Sequence, residues 1–102
     1  MTLARPVPDQ TLAAPFRPCL LVPTYDNPRT VRDVVLRARR HLQDIVVVDD
    51  GSHAEGRAVV AALGAEGLAH VHHRPGNGGK GAAVKTGLAV AHELGYTHAL
   101  QL

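Results

Sequence analysis

The sequence predicts an α/β fold, a parallel sheet with helices on both faces, and three observations carry that prediction. Two short, continuous apolar runs, "CLLVP" (Cys19–Pro23) and "IVVVD" (Ile45–Asp49), have the length of strands buried on both faces. Between such runs lie segments whose apolar residues recur at helical spacing, with capping residues before them and glycines after. The order strand, helix, strand, helix, strand, helix, strand is that of parallel strands joined by helical crossovers.

The elements follow in order. Residues 1–18 hold four of the seven prolines (Pro6, Pro8, Pro15, Pro18), show no sustained period and are expected to form an irregular leader. The domain is expected over 19–102. After the first strand, Asn27 and Pro28 make a helix start, an N-cap side chain followed by proline at the first helical position. Val31, Val34, Val35, Ala38 and Leu42 give that helix an apolar stripe, and its arginines read as a solvated face. Ser52 and Glu55 spell a capping box that opens a second helix, with Ala58, Val59, Ala62 and Leu63 inward and Gly64 or Gly67 as its stop. "AHVHH" (Ala69–His73) is the third strand. The glycine-rich turn "RPGNGGKG" feeds a third helix with Ala83, Val84, Gly87, Leu88, Ala91 and Leu94 inward, ended by Gly95, and "THALQL" starts a fourth strand.

Composition excludes several classes of function. The formal charge of +2 is too small, and three aromatic residues too few, for a nucleic-acid surface. No apolar run approaches the roughly 18 residues of a membrane helix, and no signal peptide is recognisable. The single cysteine, Cys19, cannot form an internal disulfide and reads as a small core residue. His70 and His72 share a strand face but lack further residues at ligand spacing, so they read as ordinary residues of an edge strand.

Parallel strands place the segments that follow them along one edge, where ligands of such sheets bind. Those segments are Pro23, Thr24 and Tyr25, then Asp49 to Ser52, then Arg74 to Lys80. Asp49 and Asp50 are like charges ending a buried run, and a ligand on that edge would supply the partners they need. The turn "GNGGKG" is not a Walker phosphate loop, because Arg74 and Gly81 stand where that motif needs glycine and Ser or Thr. Gly76, Gly78 and Gly81 do have the spacing of a dinucleotide fingerprint, which makes a non-catalytic dinucleotide-binding module the alternative reading.

Together, "LVPTYDNPRTV", "IVVVDDGS" and "NGGKGAAVKTGL" resemble the nucleotide-binding half of glycosyltransferase family 2. The third segment is similar to the enzymes that load glucose or mannose onto a polyprenyl phosphate, such as dolichyl-phosphate sugar synthases. The resemblance runs from Cys19 to Leu102. It implies a Rossmann-like sheet, the N-terminal half of a nucleotide-diphospho-sugar transferase fold, with a nucleoside-diphosphate sugar bound across the carboxyl edge. Pro23 and Tyr25, with Thr24 between them, would border base and ribose. Asp50, with Asp49 and beside Gly51, would accept hydrogen bonds from the nucleoside, and Lys80 would lie near base or diphosphate. The family's acidic cation-binding motif follows the fourth strand, so a magnesium or manganese ion is expected to be held by residues beyond Leu102. Catalytic base and acceptor site are expected there too, leaving no catalytic residue and no metal ligand in this chain. A truncated chain, a gene fragment and an independent half-domain all fit that ending. The resemblance also implies a cytoplasmic enzyme, at the membrane face if the acceptor is a polyprenyl phosphate. The 102 residues alone are expected to be inactive and to self-associate through an exposed sheet edge.

Overall fold

The computed structural model describes residues 15–102. Most of the expected leader, residues 1–14, lies outside the described residues, and its last proline, Pro18, opens the first strand. The elements are β1 (Pro18–Thr24), α1 (Pro28–Ala38), β2 (Ile45–Asp49), α2 (Ala54–Ala65), β3 (His70–His73), α3 (Lys80–Glu93) and β4 (His98–Gln101). The four strands form one all-parallel sheet in the order β3-β2-β1-β4. This is the α/β architecture that the buried runs and helical spacings predict.

The sheet divides the core in two. Strand side chains alternate between faces, so Ile45 and Val47 of β2 point to one side and Val46 and Val48 to the other. All four are buried. On the first side they pack with Val31, Val35 and Ala38 of α1 and Val60 and Leu63 of α2. On the second they pack with Ala83 and Ala91 of α3, together with Cys19, Leu21 and Tyr96. Cys19 is a core residue, as its place in a buried strand suggests. Right-handed crossovers account for the arrangement: stepping β1, β2, β3 in one direction puts α1 and α2 on one face, and returning to β4 on the far side of β1 puts α3 on the other.

Three details differ from the sequence reading. Asn27 is the N-cap of α1 with proline after it, but its side chain makes no capping hydrogen bond. The Ser52–Glu55 capping box does not form: α2 begins at Ala54 with His53 at the cap, because the Ser52 hydroxyl instead accepts a hydrogen bond from the Asp26 N–H at 2.8 Å. Moving the start moves the inner face, so Gly56, Val60 and Leu63 are buried while Ala58 is exposed. In α3 the stripe narrows to Ala83, Gly87 and Ala91, one small residue per turn, and Leu88 and Leu94 stand in solvent. Gly67 follows the α2 cap in the left-handed region, so it and not Gly64 stops the helix. β4 is an edge strand, and Leu100 and Leu102 are exposed on it and just after it.

Two residues show how the sequence shapes the carboxyl edge. Proline lacks an N–H and is normally unwelcome in a central strand. In β1 the even-numbered residues face β2, as the Leu20 N–H to Asp44 bond shows, and the odd-numbered ones face β4. The missing donor of Pro23 is therefore on the β4 side, and the pairing of β1 with β2 is untouched. Gly87 serves close packing: a Cβ there would sit 2.2 Å from Cδ1 of the buried Leu21.

Gly87→Ala sets a helix-propensity gain of about 1 kcal/mol against an overpacking cost of about 1 to 3 kcal/mol. Leu21 is enclosed and cannot swing away, so the clash should win. Urea unfolding is expected to show lower stability, by about 1 to 2 kcal/mol.

Candidate functional site

The sheet register places Thr24, Asp49 and His73 in one row at the carboxyl ends of β1, β2 and β3. Strand order reverses between β1 and β4, and at that point α3 leaves the neighbouring gap open, the usual location of a ligand crevice in such sheets. A cavity of about 380 Å³ opens there. Its walls are Pro23 and Thr24 at the end of β1 and Tyr25 after it, Asp50 after β2, Asn77 and Gly79 in the turn, Lys80 and Ala83 at the start of α3, and Leu102.

Five of the seven residues singled out in the sequence, Pro23, Thr24, Tyr25, Asp50 and Lys80, line this cavity, and the other two do not. Asp49 is turned to the opposite side of the strand and has no exposed surface. Its Oδ1 accepts from the Ser52 N–H at 2.9 Å, and its Oδ2 lies 2.8 Å from Nδ1 of His73. Gly51 lies behind Asp50 with φ +80°, and a Cβ on it would meet the carbonyl carbon of Gly76 at 2.5 Å. It allows the 76–77 backbone to close over the end of β2.

The expectation that a ligand compensates the two aspartates is corrected here, because the chain itself supplies their partners. Asp50 is 3% exposed. The Arg74 guanidinium donates to its Oδ1, the Gly78 N–H reaches both oxygens at 3.1 and 3.3 Å, and the Gly79 N–H donates to Oδ2 at 2.9 Å. The Arg74 head group also explains Gly78, where a Cβ would lie 2.5 Å from its Nη1. An ionised carboxylate offers about four acceptor positions. Three donors leave Asp50 room for one more on the cavity side.

Burial alone would raise the Asp50 carboxyl, but the Gly78 N–H, the Arg74 guanidinium and the Gly79 N–H outweigh it and hold the carboxyl below its ordinary value. For Asp49, burial again acts upward, and hydrogen bonds from Ser52 and His73 bring the net shift down.

Sequence reasoning missed three residues. His73 and Arg74 end β3 beside the two acids that end β2, a basic pair after an acidic pair in adjacent strands, and that signal becomes legible once the strands are placed side by side. Asp26, at φ +46° in the loop after β1, binds His53 with both carboxylate oxygens. Among the described residues, no group of three or more His, Cys, Asp and Glu could hold a metal ion. No helix among them is long and apolar enough to cross a membrane.

A family model described as "Glycosyl transferase family 2" matches residues 19–93. The chain belongs to glycosyl transferase family 2. Neither a curated protein nor a solved structure matches it. Membership in this family does not favour the dinucleotide module. The geometry of the glycines disfavours that module too. The N–H groups of Gly78 and Gly79 are spent on Asp50, and open space surrounds the Cβ positions of Gly76 and Gly81, so no close backbone approach requires glycine there.

Two outcomes are expected. Both carboxyls sit lower in the folded chain than in the unfolded chain, so the folded state binds fewer protons near pH 4 and their contribution is complete above the ordinary carboxylate range. Stability should fall as pH drops below about 4 through the folded values, and Asp49→Asn should flatten that acid limb in urea titrations repeated across pH. Arg74→Met leaves Asp50 without its guanidinium and should cost about 2 to 3 kcal/mol at neutral pH by the same titration, the scale of hydrogen bonds to charged groups.

Proposed function

We propose that this chain is the donor-binding part of a glycosyltransferase that moves a hexose from a nucleoside-diphosphate sugar to an acceptor. The observation that carries the reading is the cavity where strand order reverses, which gathers a carboxylate, an exposed aromatic ring and a lysine at a helix start. The chemistry fits each part of a nucleoside diphosphate. Tyr25, 44% exposed, and Pro23 offer apolar surface to base and ribose. The remaining acceptor position of Asp50 suits an N–H of the base or a ribose hydroxyl. Lys80 is the first residue of α3, where unbonded N–H groups and the helix dipole favour an anion. Asp49 and Gly51 act behind this surface, Asp49 by holding His73 and the Ser52 turn, and Gly51 by admitting the 76–77 backbone.

The acceptor in this proposal is a polyprenyl phosphate, a reading supported by the segment "NGGKGAAVKTGL" alone. A cytoplasmic enzyme working at a membrane face belongs to the same proposal. So does a magnesium or manganese ion under the diphosphate, for which the described residues offer no cluster of three or more His, Cys, Asp and Glu.

Calorimetry tests the reading directly. UDP or GDP should bind and NAD should not; binding of NAD with neither diphosphate would overturn it. Lys80→Ala should weaken a nucleoside diphosphate by about 1.5 to 3 kcal/mol, the scale of a charge-assisted hydrogen bond, and leave the bare nucleoside nearly unchanged. Equal losses for both would place Lys80 against the base.

A further inference from the structure

We infer that Asp26 and His53 form a clip that sets the Tyr25 ring at the mouth of the cavity, and that both are positioning residues for the nucleoside. The inference rests on the proposed nucleotide site and adds residues outside the cavity lining to it. Asp26 is the only non-glycine residue among those described with a positive φ, +46°. Aspartate tolerates this left-handed conformation better than most residues, and here every polar group of Asp26 with a partner in the clip uses it. Its N–H donates to the Ser52 hydroxyl at 2.8 Å, its Oδ1 accepts from the His53 N–H at 2.6 Å, and its Oδ2 lies 2.6 Å from Nδ1 of His53. The loop after β1 is thereby tied at three points to the segment that opens α2. Gly56 lets the first turn of α2 close on this knot, since a Cβ there would lie 3.4 Å from Cα of Asp26.

Tyr25 precedes Asp26 directly, so fixing the backbone of Asp26 fixes where the Tyr25 side chain leaves the chain. The imidazole of His53 backs the phenol ring, tilted at 58° with centroids 6.3 Å apart. The charge of Asp26 lies close enough to push the phenol upward, with desolvation adding to it and the charge of Asp50 contributing further. Tyr25 thus stands between the clip and the cavity. The His53 imidazole is the aromatic neighbour of its ring, and neither Asp26 nor His53 lines the cavity. A large ring that is ordered before the ligand arrives does not lose its rotamer freedom on binding, which is the usual gain from preorganisation.

The rival reading is that the clip only finishes the start of α2, a carboxylate placed beside a helix N-terminus. The two are separable in the full chain carrying Tyr96→Phe, which leaves Tyr25 as its sole tyrosine beside no tryptophan. In that background His53→Ala and Asp26→Gly break the clip, the glycine taking φ +46° without strain. His53→Asn keeps a side-chain N–H near the position of Nδ1. The readouts are acrylamide quenching of Tyr25 fluorescence, affinity for UDP and GDP by calorimetry, and urea stability. Breaking the clip should raise quenching toward that of a free tyrosine peptide and weaken the nucleotide about three- to tenfold, with His53→Asn restoring both. Lower stability with unchanged quenching and unchanged affinity would reduce the clip to a helix end and overturn the inference. If the parent protein bound neither nucleotide, the proposed site would fall, and the quenching arm alone would decide whether the clip holds the ring.

Discussion

Two adjacent carboxylates end the most deeply buried strand of this molecule, and the arrangement of the carboxyl edge follows from how they are satisfied. A buried carboxylate without donors costs several kcal/mol. Alternation along β2 sends Asp49 and Asp50 to opposite sides, which separates their charges and obliges each to find its own partners. Asp49 takes the Ser52 N–H and His73, and so joins the end of β3 to the turn before α2. Asp50 takes Arg74, Gly78 and Gly79, and so folds the glycine-rich turn back over the sheet and aims α3. The pair that looks like a liability in sequence is the fastening of the two segments that follow β2 and β3.

That fastening separates what the sequence revealed from what it withheld. The alternation of strands and helices was legible because β1 and β2 are buried on both faces and their residues say so locally. The parallel order alone put the segments that hold Pro23, Thr24, Tyr25, Asp50 and Lys80 on one edge, and the family resemblance singled out these residues within them. Apart from the Ser52 N–H, the partners of the aspartates were not legible in the same way, since they lie 24 to 29 residues further on. A chain read element by element shows which groups need partners before it shows which residues provide them. Ser52 illustrates the other limit. Its spacing to Glu55 is that of a capping box, yet a long-range N–H from Asp26 claims the hydroxyl and the helix start shifts to His53. The inner faces of α2 and α3 were displaced for a related reason. Both are rich in alanine and glycine, so small side chains leave the pattern shallow and close backbone approach decides which face turns inward.

Asp50 carries two demands at once. Its carboxylate organises the turn into α3, and in the proposed function its last free acceptor position meets the nucleoside. These demands support each other. A carboxylate fixed by Arg74 and two backbone donors cannot turn to suit a ligand, so it presents one acceptor direction and discriminates by whether a donor lies along it. Asp49 has no such second demand, being closed off on the helix side. The difference between two neighbouring aspartates therefore comes from the side of the strand each faces.

The cavity itself is a consequence of topology before it is one of chemistry. Strand order reverses beside β1, which sets a crevice at the carboxyl end of the sheet between β1 and β4. Gly51 and the glycines of the 76–79 turn then let the backbone cross the open end closely enough for its N–H groups to reach Asp50. What remains between Pro23, Asp50 and the first turn of α3 is a space in which the carboxylate of Asp50 is already fixed by its own donors. A ligand entering it meets a surface whose ordering cost was met in folding, which is the condition under which few contacts can give specific binding.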